Sequence, residues 1–408
     1  MNMLRDLSLQ STFMGLLVAF VGFASSFAVV LQGIRAVGAS EEQAATALMI
    51  LSIAMGACAI VLSLYSKLPI SVAWSTPGAA LLASTSTVPG GFSIAAGSFI
   101  LCAILFVIAG LWKPLGRAVN KIPSALANAM LAGILLGLCL APIKAIAEKP
   151  LFGLCILLAW IIAGRINKLL AVPAALTALI LIMVFGIDFT TANKNELFSN
   201  IVPSFTMVFP EFSLAGLIGI TIPLFIVTMA SQNVPGIAVL KIHNYEPNSG
   251  PLIAITGLFS GISALFGGHA VNLAAITAAM CASEDAHPDP TKRYWSAVIS
   301  GLGYIVFGLL SGLVTTFAVI APGILIAAVA GLALIGAFSN AALAAFNAPD
   351  IREASAVTFL ITASGVSFFG ISGAFWGLLA GGLILYITHL FSLRKNHVAL
   401  SQEYNDKS

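Results

Sequence analysis

The sequence predicts an all-α polytopic membrane protein with fourteen transmembrane segments, arranged as two inverted sets of seven. About 278 of the 408 residues are hydrophobic or glycine, which is enough for about fourteen spans of about 20 residues each. Only 18 basic and 15 acidic residues are present, about a third of the charge typical of a soluble chain of this length. A soluble globular protein, a disordered chain and a nucleic-acid binder are therefore excluded, and the lipid bilayer is the expected surroundings.

Charged residues, prolines and glycines divide the chain into successive apolar segments. They lie near residues 11–33, 44–65, 68–88, 92–112, 123–142, 150–164, 171–187, 212–233, 250–266, 267–283, 294–318, 321–346, 354–369 and 371–391. The first is too long for the apolar part of a signal peptide and is interpreted as a retained span.

The positions of the basic residues predict the orientation. With the N-terminus in the cytoplasm, fourteen lysines and arginines fall in inner regions, and four fall in outer loops, namely Arg35, Lys144, Lys149 and Lys194. This bias predicts that both termini are cytoplasmic.

An internal repeat is expected because similar segments recur 199 residues apart. Pro123 lies at the start of IPSALANAMLAGILLG, and Pro322 lies at the start of APGILIAAVAGLALIG. We expect a first repeat over residues 1–190, a periplasmic connecting loop over 191–211, and a second repeat over 212–408 that ends in a short cytoplasmic tail. Seven is an odd number of spans, so the two repeats must enter the membrane from opposite sides.

The third span of the first repeat is predicted to be broken. It reads LPISVAWSTPGAALLASTSTV, and prolines at positions 69 and 77 cannot lie inside a continuous helix without loss of backbone hydrogen bonds. We expect an extended stretch, an N-cap at Ser75 or Thr76, Pro77 at the first helical position, and a half-helix that ends near residue 88.

The third span of the second repeat, GGHAVNLAAITAAMCAS, contains a comparable break at Gly267 and Gly268. An offset of 197 residues aligns Asn272 with Ser75, which predicts a second N-cap and a half-helix over residues 273–283. Both helices would span about half of the hydrocarbon core, so their N-termini would meet near its midplane.

Two helix N-termini at mid-membrane predict a site for a small monoanion, because each carries about half a positive charge and unpaired N–H donors. The alternative is that proline and glycine only kink two packed helices, but the matching position in both repeats favours a site. All fifteen carboxylates map to loops or span ends. A buried carboxylate would repel an anion, whereas a cation or nucleobase carrier is expected to contain one.

Few polar residues reach the apolar interior. Gln232 and Asn233 lie in TMASQNVPG, and their amides can donate to a carboxylate, although hydrogen bonds between helices use the same residues. His269 is the one histidine deep in a span; it could bind an anion or carry a proton, or be a structural histidine. Trp74 adjoins the first break and could supply an aromatic wall, or only pack. Gln32 is a weaker candidate.

The sequence gives no sign of a cofactor, a metal or an enzyme. The five cysteines all fall in apolar runs, with no CxxC pair and no histidine at metal-ligand spacing. No P-loop, HExxH or GxSxG motif is present, so hydrolysis and phosphoryl transfer lack their usual residues.

Four segments, taken together, resemble the BenE benzoate:proton symporter family of bacterial inner membranes. They are WSTPGAALLAS, IPSALANAMLAGILLG, SQNVPGIAVL and FGGHAVNLAAITAA. The resemblance implies a fold shared with uracil permeases and sulfate-type carriers, in which a core domain (spans 1–4 and 8–11) moves against a gate domain (spans 5–7 and 12–14). It also implies that benzoate enters the cell with protons by alternating access.

The expected substrate site combines the broken spans with the polar residues. Its residues are Trp74, Ser75, Thr76, Pro77, Gln232, Asn233, His269 and Asn272. His269 is the expected proton carrier, although the proton could travel on the substrate itself. Uracil permeases have carboxylates in their eighth and tenth spans, where this chain has amides and a histidine, so nucleobase uptake is in doubt.

Other functions remain open from the sequence. A carrier of another small anion, such as a dicarboxylate or sulfate, is the nearest alternative; an anion channel and a membrane-embedded enzyme are further ones. The sequence also leaves open whether two chains pair as a homodimer.

Overall fold

The structure is a computed structural model that describes residues 6–85, 90–112, 114, 123–185, 201–274, 276–366, 368 and 373–388. The helices and strand of the first half are α1 (Leu9–Ala24), α2 (Phe27–Ala36), α3 (Glu41–Ser66), β1 (Val72–Trp74), α4 (Thr76–Ala83), α5 (Gly91–Leu111), α6 (Ser124–Cys139), α7 (Ala141–Glu148), α8 (Pro150–Ile166) and α9 (Ala171–Phe185). Those of the second half are α10 (Leu214–Ile242), α11 (Ser249–Ala264), β2 (Val271–Leu273), α12 (Ile276–Ala282), α13 (Tyr294–Leu309), α14 (Ser311–Ile320), α15 (Gly323–Phe346), α16 (Arg352–Ala363) and α17 (Gly373–Thr388).

Apolar helices dominate the described chain, as the sequence predicts for an all-α polytopic membrane protein. Seven are long and apolar enough to cross a membrane: α1 with α2, α3, α5, α6 with α7, α9 with the turn before it, α10 and α15. An eighth span is possible if α13 and α14, bent by 53°, count as one, and α8, α11 and α17 are shorter apolar helices. The fourteen-span count and the chain-wide inverted repeat stay predictions.

The two segments that suggested the repeat open with the same backbone. Pro123 precedes α6 with φ −57° and ψ 121°, and Pro322 precedes α15 with φ −56° and ψ 121°. A proline ring holds φ close to these values and has no N–H that needs a partner, so it suits the residue just before a helix.

The largest cluster of buried apolar side chains in the described residues joins the first group of helices, α2, α3, α5, α10, α11 and α13, with α6. In the first group α3 packs along α13 and α5 packs along α11, with the strand pair between them. The contact of α3 with α13 needs glycine on both helices, because a Cβ on Gly56 would lie 2.4 Å from the Gly301 carbonyl oxygen. A second apolar cluster joins α7, α8, α9 and α15 around Ile156, Leu179 and Leu325, and Leu176 and Ile326 pack against both clusters.

Part of the segment between the halves crosses the ends of the first group. The Thr46 hydroxyl of α3 donates to the Ser204 carbonyl (2.6 Å). The Val208 N–H donates to the Leu265 carbonyl just after α11 (3.0 Å). This part of the connecting loop is therefore fixed to α3 and α11.

The two strands form an antiparallel pair that corrects the predicted alignment of the broken spans. Trp74 pairs with Val271, Ala73 with Asn272 and Val72 with Leu273. The flanking N–H groups of Ser75 and Ala274 donate to the carbonyls of Ala270 (2.9 Å) and Ser71 (3.0 Å).

The symmetry of this pairing equates Ser75 with Ala274. Exchange of the two strands puts Trp74 in the place of Leu273 and Ser75 in the place of Ala274. The hydrogen-bond pattern is unchanged by this exchange. The same spacing separates Pro123 from Pro322. The predicted offset of 197, which equates Ser75 with Asn272, is therefore wrong.

The first half-helix is shorter than predicted. Ser75 is its N-cap as expected, but α4 begins at Thr76, so Pro77 holds the second helical position and not the first. The helix ends at Ala83, and the hydroxyls of the next two residues donate to the Leu81 carbonyl (both 2.8 Å). Residues 86–89, in the predicted end of this helix, lie outside the described residues.

The second half-helix begins later than predicted. Leu273, its predicted first residue, lies in β2, and α12 starts at Ile276. Asn272 is therefore a strand residue and not an N-cap. The reason is that the Leu273 N–H already donates to the Asn233 side chain and the Ala274 N–H to the Ser71 carbonyl of the facing strand, which satisfies donors that a helix start would leave free.

Candidate functional site

The candidate site lies where the paired strands meet α4, α10 and the break between α1 and α2. The structure brings together most of the residues that the sequence singles out. It also divides them into side chains that hold the strands and side chains that remain accessible.

Ser75 connects three of these elements. Its hydroxyl accepts the Gly78 N–H (3.0 Å), which caps α4, and is hydrogen-bonded to the Thr228 hydroxyl of α10 (2.7 Å). Its carbonyl is hydrogen-bonded to the Nε2 atom of His269 (3.1 Å). Thr228 is a site residue that sequence reasoning missed, although it lies one helical turn before Gln232 and so on the same face.

His269 is rigidly held and has one free nitrogen. A carbonyl can only accept, so the hydrogen bond to the Ser75 carbonyl requires the hydrogen on Nε2. The Nδ1 atom is buried and has no hydrogen-bond partner among the described residues. The preceding glycines fix the approach: Gly267 has φ +80°, and a Cβ on Gly268 would lie 1.9 Å from the Ser263 hydroxyl.

Two asparagine amides hold β2. Asn233 ends a π-helical turn of α10, Met229–Asn233, and its Oδ1 accepts the Leu273 N–H (2.9 Å). Asn272 donates from Nδ2 to the Leu273 carbonyl (2.8 Å), which leaves its Oδ1 buried without a partner in the described part of the chain. The role of either amide as a substrate donor stays a prediction.

Trp74 belongs to an aromatic cluster. Its indole N–H donates to the Ser26 hydroxyl (2.7 Å), and its ring lies 5.3 Å from that of Phe23. Phe23 in turn contacts Phe27 and Phe307. Ser26, at the break between α1 and α2, was also missed; the pair Ser25-Ser26 inside an apolar run was the available signal.

Burial separates the eight predicted residues. Ser75, Asn233, His269 and Asn272 are at most 1% exposed, and Trp74 and Pro77 are also buried. Thr76 and Gln232 are half-buried. Thr76 is the first residue of α4, where the helix carries partial positive charge, so these two side chains are best placed to meet a ligand.

Two cavities adjoin this region. One of about 360 Å³ is lined only by apolar side chains, among them Phe23, Phe27 and Phe307. The other, of about 430 Å³, lies along α2 and includes Gln32, the weaker candidate of the sequence.

No negative charge lies beside the strands in the described part of the chain. Its carboxylates sit at helix ends or in connections: Asp6, Glu41, Glu42, Glu148, Glu211, Glu246, Glu284, Asp285, Asp289, Asp350 and Glu353. The other four acidic residues, at positions 188, 196, 403 and 406, lie outside the described residues. No group of histidine, cysteine and acidic residues within those ranges could hold a metal ion. The arrangement suits a small anion better than a cation.

Comparison with known proteins agrees with these features. The family model BenE, described as benzoate membrane transport protein, matches residues 5–387. The inner membrane protein YdcO of Escherichia coli K12 is 37% identical over 385 residues, which cover 94% of this chain and 97% of that protein. The benzoate membrane transport protein of Acinetobacter baylyi ADP1 is 31% identical over 387 residues, which cover 94% and 96%.

Solved structures share the fold at low sequence identity. The transmembrane domain of the cyanobacterial bicarbonate transporter BicA has a TM-score of 0.57 at 16% identity, with 92% of this chain and 98% of that chain covered. The structure of SLC26A9 has a TM-score of 0.59 at 12% identity, with 95% of this chain and 67% of that chain covered.

Proposed function

The chain belongs to the BenE family of membrane transport proteins, and we propose that it imports benzoate, or a related aromatic monocarboxylate, together with protons. Family membership makes the chain a membrane transporter and not an enzyme. The observation that carries the proposal is a half-helix N-terminus beside paired strands with no described carboxylate near it. The printed name of the Acinetobacter relative supports the choice of substrate.

In this proposal the substrate carboxylate binds at the start of α4. Thr76 and the Gln232 amide donate to it, helped by the partial positive charge of the helix end. The aromatic ring lies toward the cluster that contains Trp74. Ser75, Pro77, Asn233 and Asn272 shape the site by fixing the strands and the start of α4.

Transport would proceed by alternating access between two bodies. The core domain comprises spans 1–4 and 8–11, and the gate domain comprises spans 5–7 and 12–14, in a bacterial inner membrane with both termini in the cytoplasm. The apolar cluster of α7, α8, α9 and α15 supports part of this division, since helices that share a core can move as a unit. Helix α6 of the gate domain packs instead in the same cluster as the core-domain helices.

His269 is the proposed proton carrier. A proton on its free Nδ1 would place a positive charge directly behind the N-cap of α4, because Nε2 already contacts the Ser75 carbonyl. That charge would favour binding of an anion, and loss of the proton would favour its release. The alternative is that the proton travels on the carboxylate, in which case His269 is structural.

Uptake of labelled benzoate by proteoliposomes under an imposed pH gradient, acidic outside, tests the function. We expect protein-dependent accumulation that a protonophore abolishes. Neutral benzoic acid crosses lipid far more easily than its anion, so protein-free liposomes under the same gradient are the essential control. Accumulation no greater than in those liposomes would contradict the proposal.

The proton role has its own test. We expect His269→Gln to lose gradient-driven accumulation while it still exchanges external for internal benzoate, and His243→Gln, a change in the loop after α10, to behave as the wild type. Intact coupling in His269→Gln would assign the proton to the substrate. Competition by sulfate, dicarboxylates or uracil stronger than by benzoate would instead favour another carrier function.

A further inference from the structure

A second cavity with the character of an anion site lies along α2, apart from the paired strands. Its volume is about 430 Å³, within the range of small-molecule sites. It runs from Ala28, two residues after the serine that holds Trp74, to Arg35 in the last turn of α2. We call it the Arg35 cavity, and its wall includes Ala28, Gln32, Arg35, Ala83, Gly323 and Ile326.

The wall of the Arg35 cavity combines one positive charge with apolar surface. Arg35 is the one charged residue in this wall, and Gln32 adds an amide that can donate. Helix α15, which is 24 residues long, begins in the wall at Gly323 and has no side-chain cap. Its first N–H groups add partial positive charge to that of the guanidinium.

The described residues provide partners for only part of the Arg35 guanidinium. One Nη atom forms an ion pair with Glu41 in the first turn of α3, where 59% of the Glu41 side chain is exposed, against 27% for Arg35. The Nε atom is buried and has no hydrogen-bond partner among the described residues. A guanidinium offers five donors and suits bidentate contact with a carboxylate.

We propose that the Arg35 cavity is a second binding site for the carboxylate of the transported anion. Glu41 is then a tethered carboxylate that pairs with Arg35 until the substrate takes its place. The apolar part of the wall accepts the hydrocarbon part of a monocarboxylate, and Ala28 at one end of the cavity lies two residues after Ser26, which accepts the Trp74 indole N–H. This inference rests on the proposed function, and in the predicted orientation it makes the cavity the entry site from outside.

The two partners of the ion pair should affect uptake in opposite directions. We expect Arg35→Gln to raise the KM for benzoate about fivefold with Vmax within about twofold, the size of an exposed charge pair. We expect Glu41→Gln to lower the KM about twofold, because it removes the competing carboxylate. Arg35→Lys, which keeps the charge but loses the bidentate contact, should raise the KM by less than Arg35→Gln does. Lys144→Gln removes an exposed charge outside this cavity wall and is the matched control.

A purely structural ion pair predicts a different result. Both single variants would then change the KM or the amount of folded protein in the same direction, and that outcome would overturn the proposal. An unchanged KM in Arg35→Gln would do the same.

Equilibrium binding of labelled benzoate to the purified protein separates this inference from the proposed function. We expect about two molecules per wild-type chain, and in Arg35→Gln one of the two to bind about fivefold more weakly. One or none per wild-type chain contradicts the second site, whatever the transport assay gives. Two per wild-type chain without accumulation in proteoliposomes would contradict the proposed transport and retain the cavity as a site.

Discussion

The two broken spans have matching backbone hydrogen bonds around their strands but different side chains. Around the strand pair, the hydrogen bonds of one span match those of the other when Trp74 is equated with Leu273 and Ser75 with Ala274. The first span therefore places an indole and a hydroxyl where the second has only apolar side chains. The second span instead contributes His269 and Asn272, whose free polar atoms are buried beside the first.

A symmetric pair of strands therefore holds an asymmetric site. The first span ends its strand with a capped helix, which is suited to receive an anion. The second span supplies the titratable group and the amide that lie behind that helix end.

A carboxylate added beside β2 should have the largest effect. Asn233→Asp keeps an acceptor for the Leu273 N–H, so the strand stays held, but it adds a negative charge to the site. Two like charges about 5 Å apart at an effective dielectric constant near 20 repel by roughly 3 kcal/mol, so we expect benzoate uptake to fall about 100-fold. Asn244→Asp, on an exposed turn, is the control. Unimpaired uptake in Asn233→Asp would mean that the anion does not bind here.

A side chain added at Gly268, just before His269, should have the next largest effect. A Cβ on Gly268 would overlap the Ser263 hydroxyl, so we expect Gly268→Ala to destabilise the protein by about 1–3 kcal/mol and to lower uptake about tenfold. Thermal unfolding and initial uptake rates measure the two effects. Gly336→Ala, where a Cβ meets nothing within 4 Å, should be neutral. Removal of the clashing hydroxyl in Ser263→Ala/Gly268→Ala should restore part of the loss; no restoration would contradict this cause.

Loss of the N-cap of α4 should weaken benzoate binding moderately, whereas a change at the equivalent position of the second span should not improve it. Ser75→Ala removes the acceptor for the Gly78 N–H and the bond to Thr228, and a lost cap typically costs about 1 kcal/mol. We expect a fivefold weaker apparent affinity, on the order of that energy. Ala274→Thr alters the equivalent position of the second span and should not improve binding. If Ser75→Ala binds benzoate normally, the start of α4 is not the anion site.

The smallest effect is expected at the indole. Trp74→Phe keeps an aromatic ring but loses the hydrogen bond to the Ser26 hydroxyl, which is worth about 1 kcal/mol. Because this bond orients the indole and does not contact the carboxylate, we expect only part of that energy to appear in binding, as about a twofold change in the KM for benzoate. Ser26→Ala should give a similar change, and the double variant should add little to either. Fully additive effects would mean that this hydrogen bond does not couple the two residues.

The breaks in the two spans can be predicted from the sequence because the residues that cause them lie within the spans themselves. Prolines, glycines and a capping serine mark where the spans break, and Ser75 is indeed the N-cap of α4. The predicted start of α12 is wrong because the true start depends on pairing with a strand in the other half of the chain, which helps to satisfy the Leu273 and Ala274 N–H groups. Thr228 and Ser26 were missed for the same reason, since their partners are distant in sequence.

Parallel measurement of benzoate and proton movement tests the central claim most directly. Proteoliposomes with a trapped pH indicator receive labelled benzoate, with protein-free liposomes as the baseline. We predict that the wild type takes up benzoate and protons together above that baseline, and that His269→Gln exchanges benzoate without net proton entry. Benzoate entry above the baseline with no proton movement in the wild type would contradict the account.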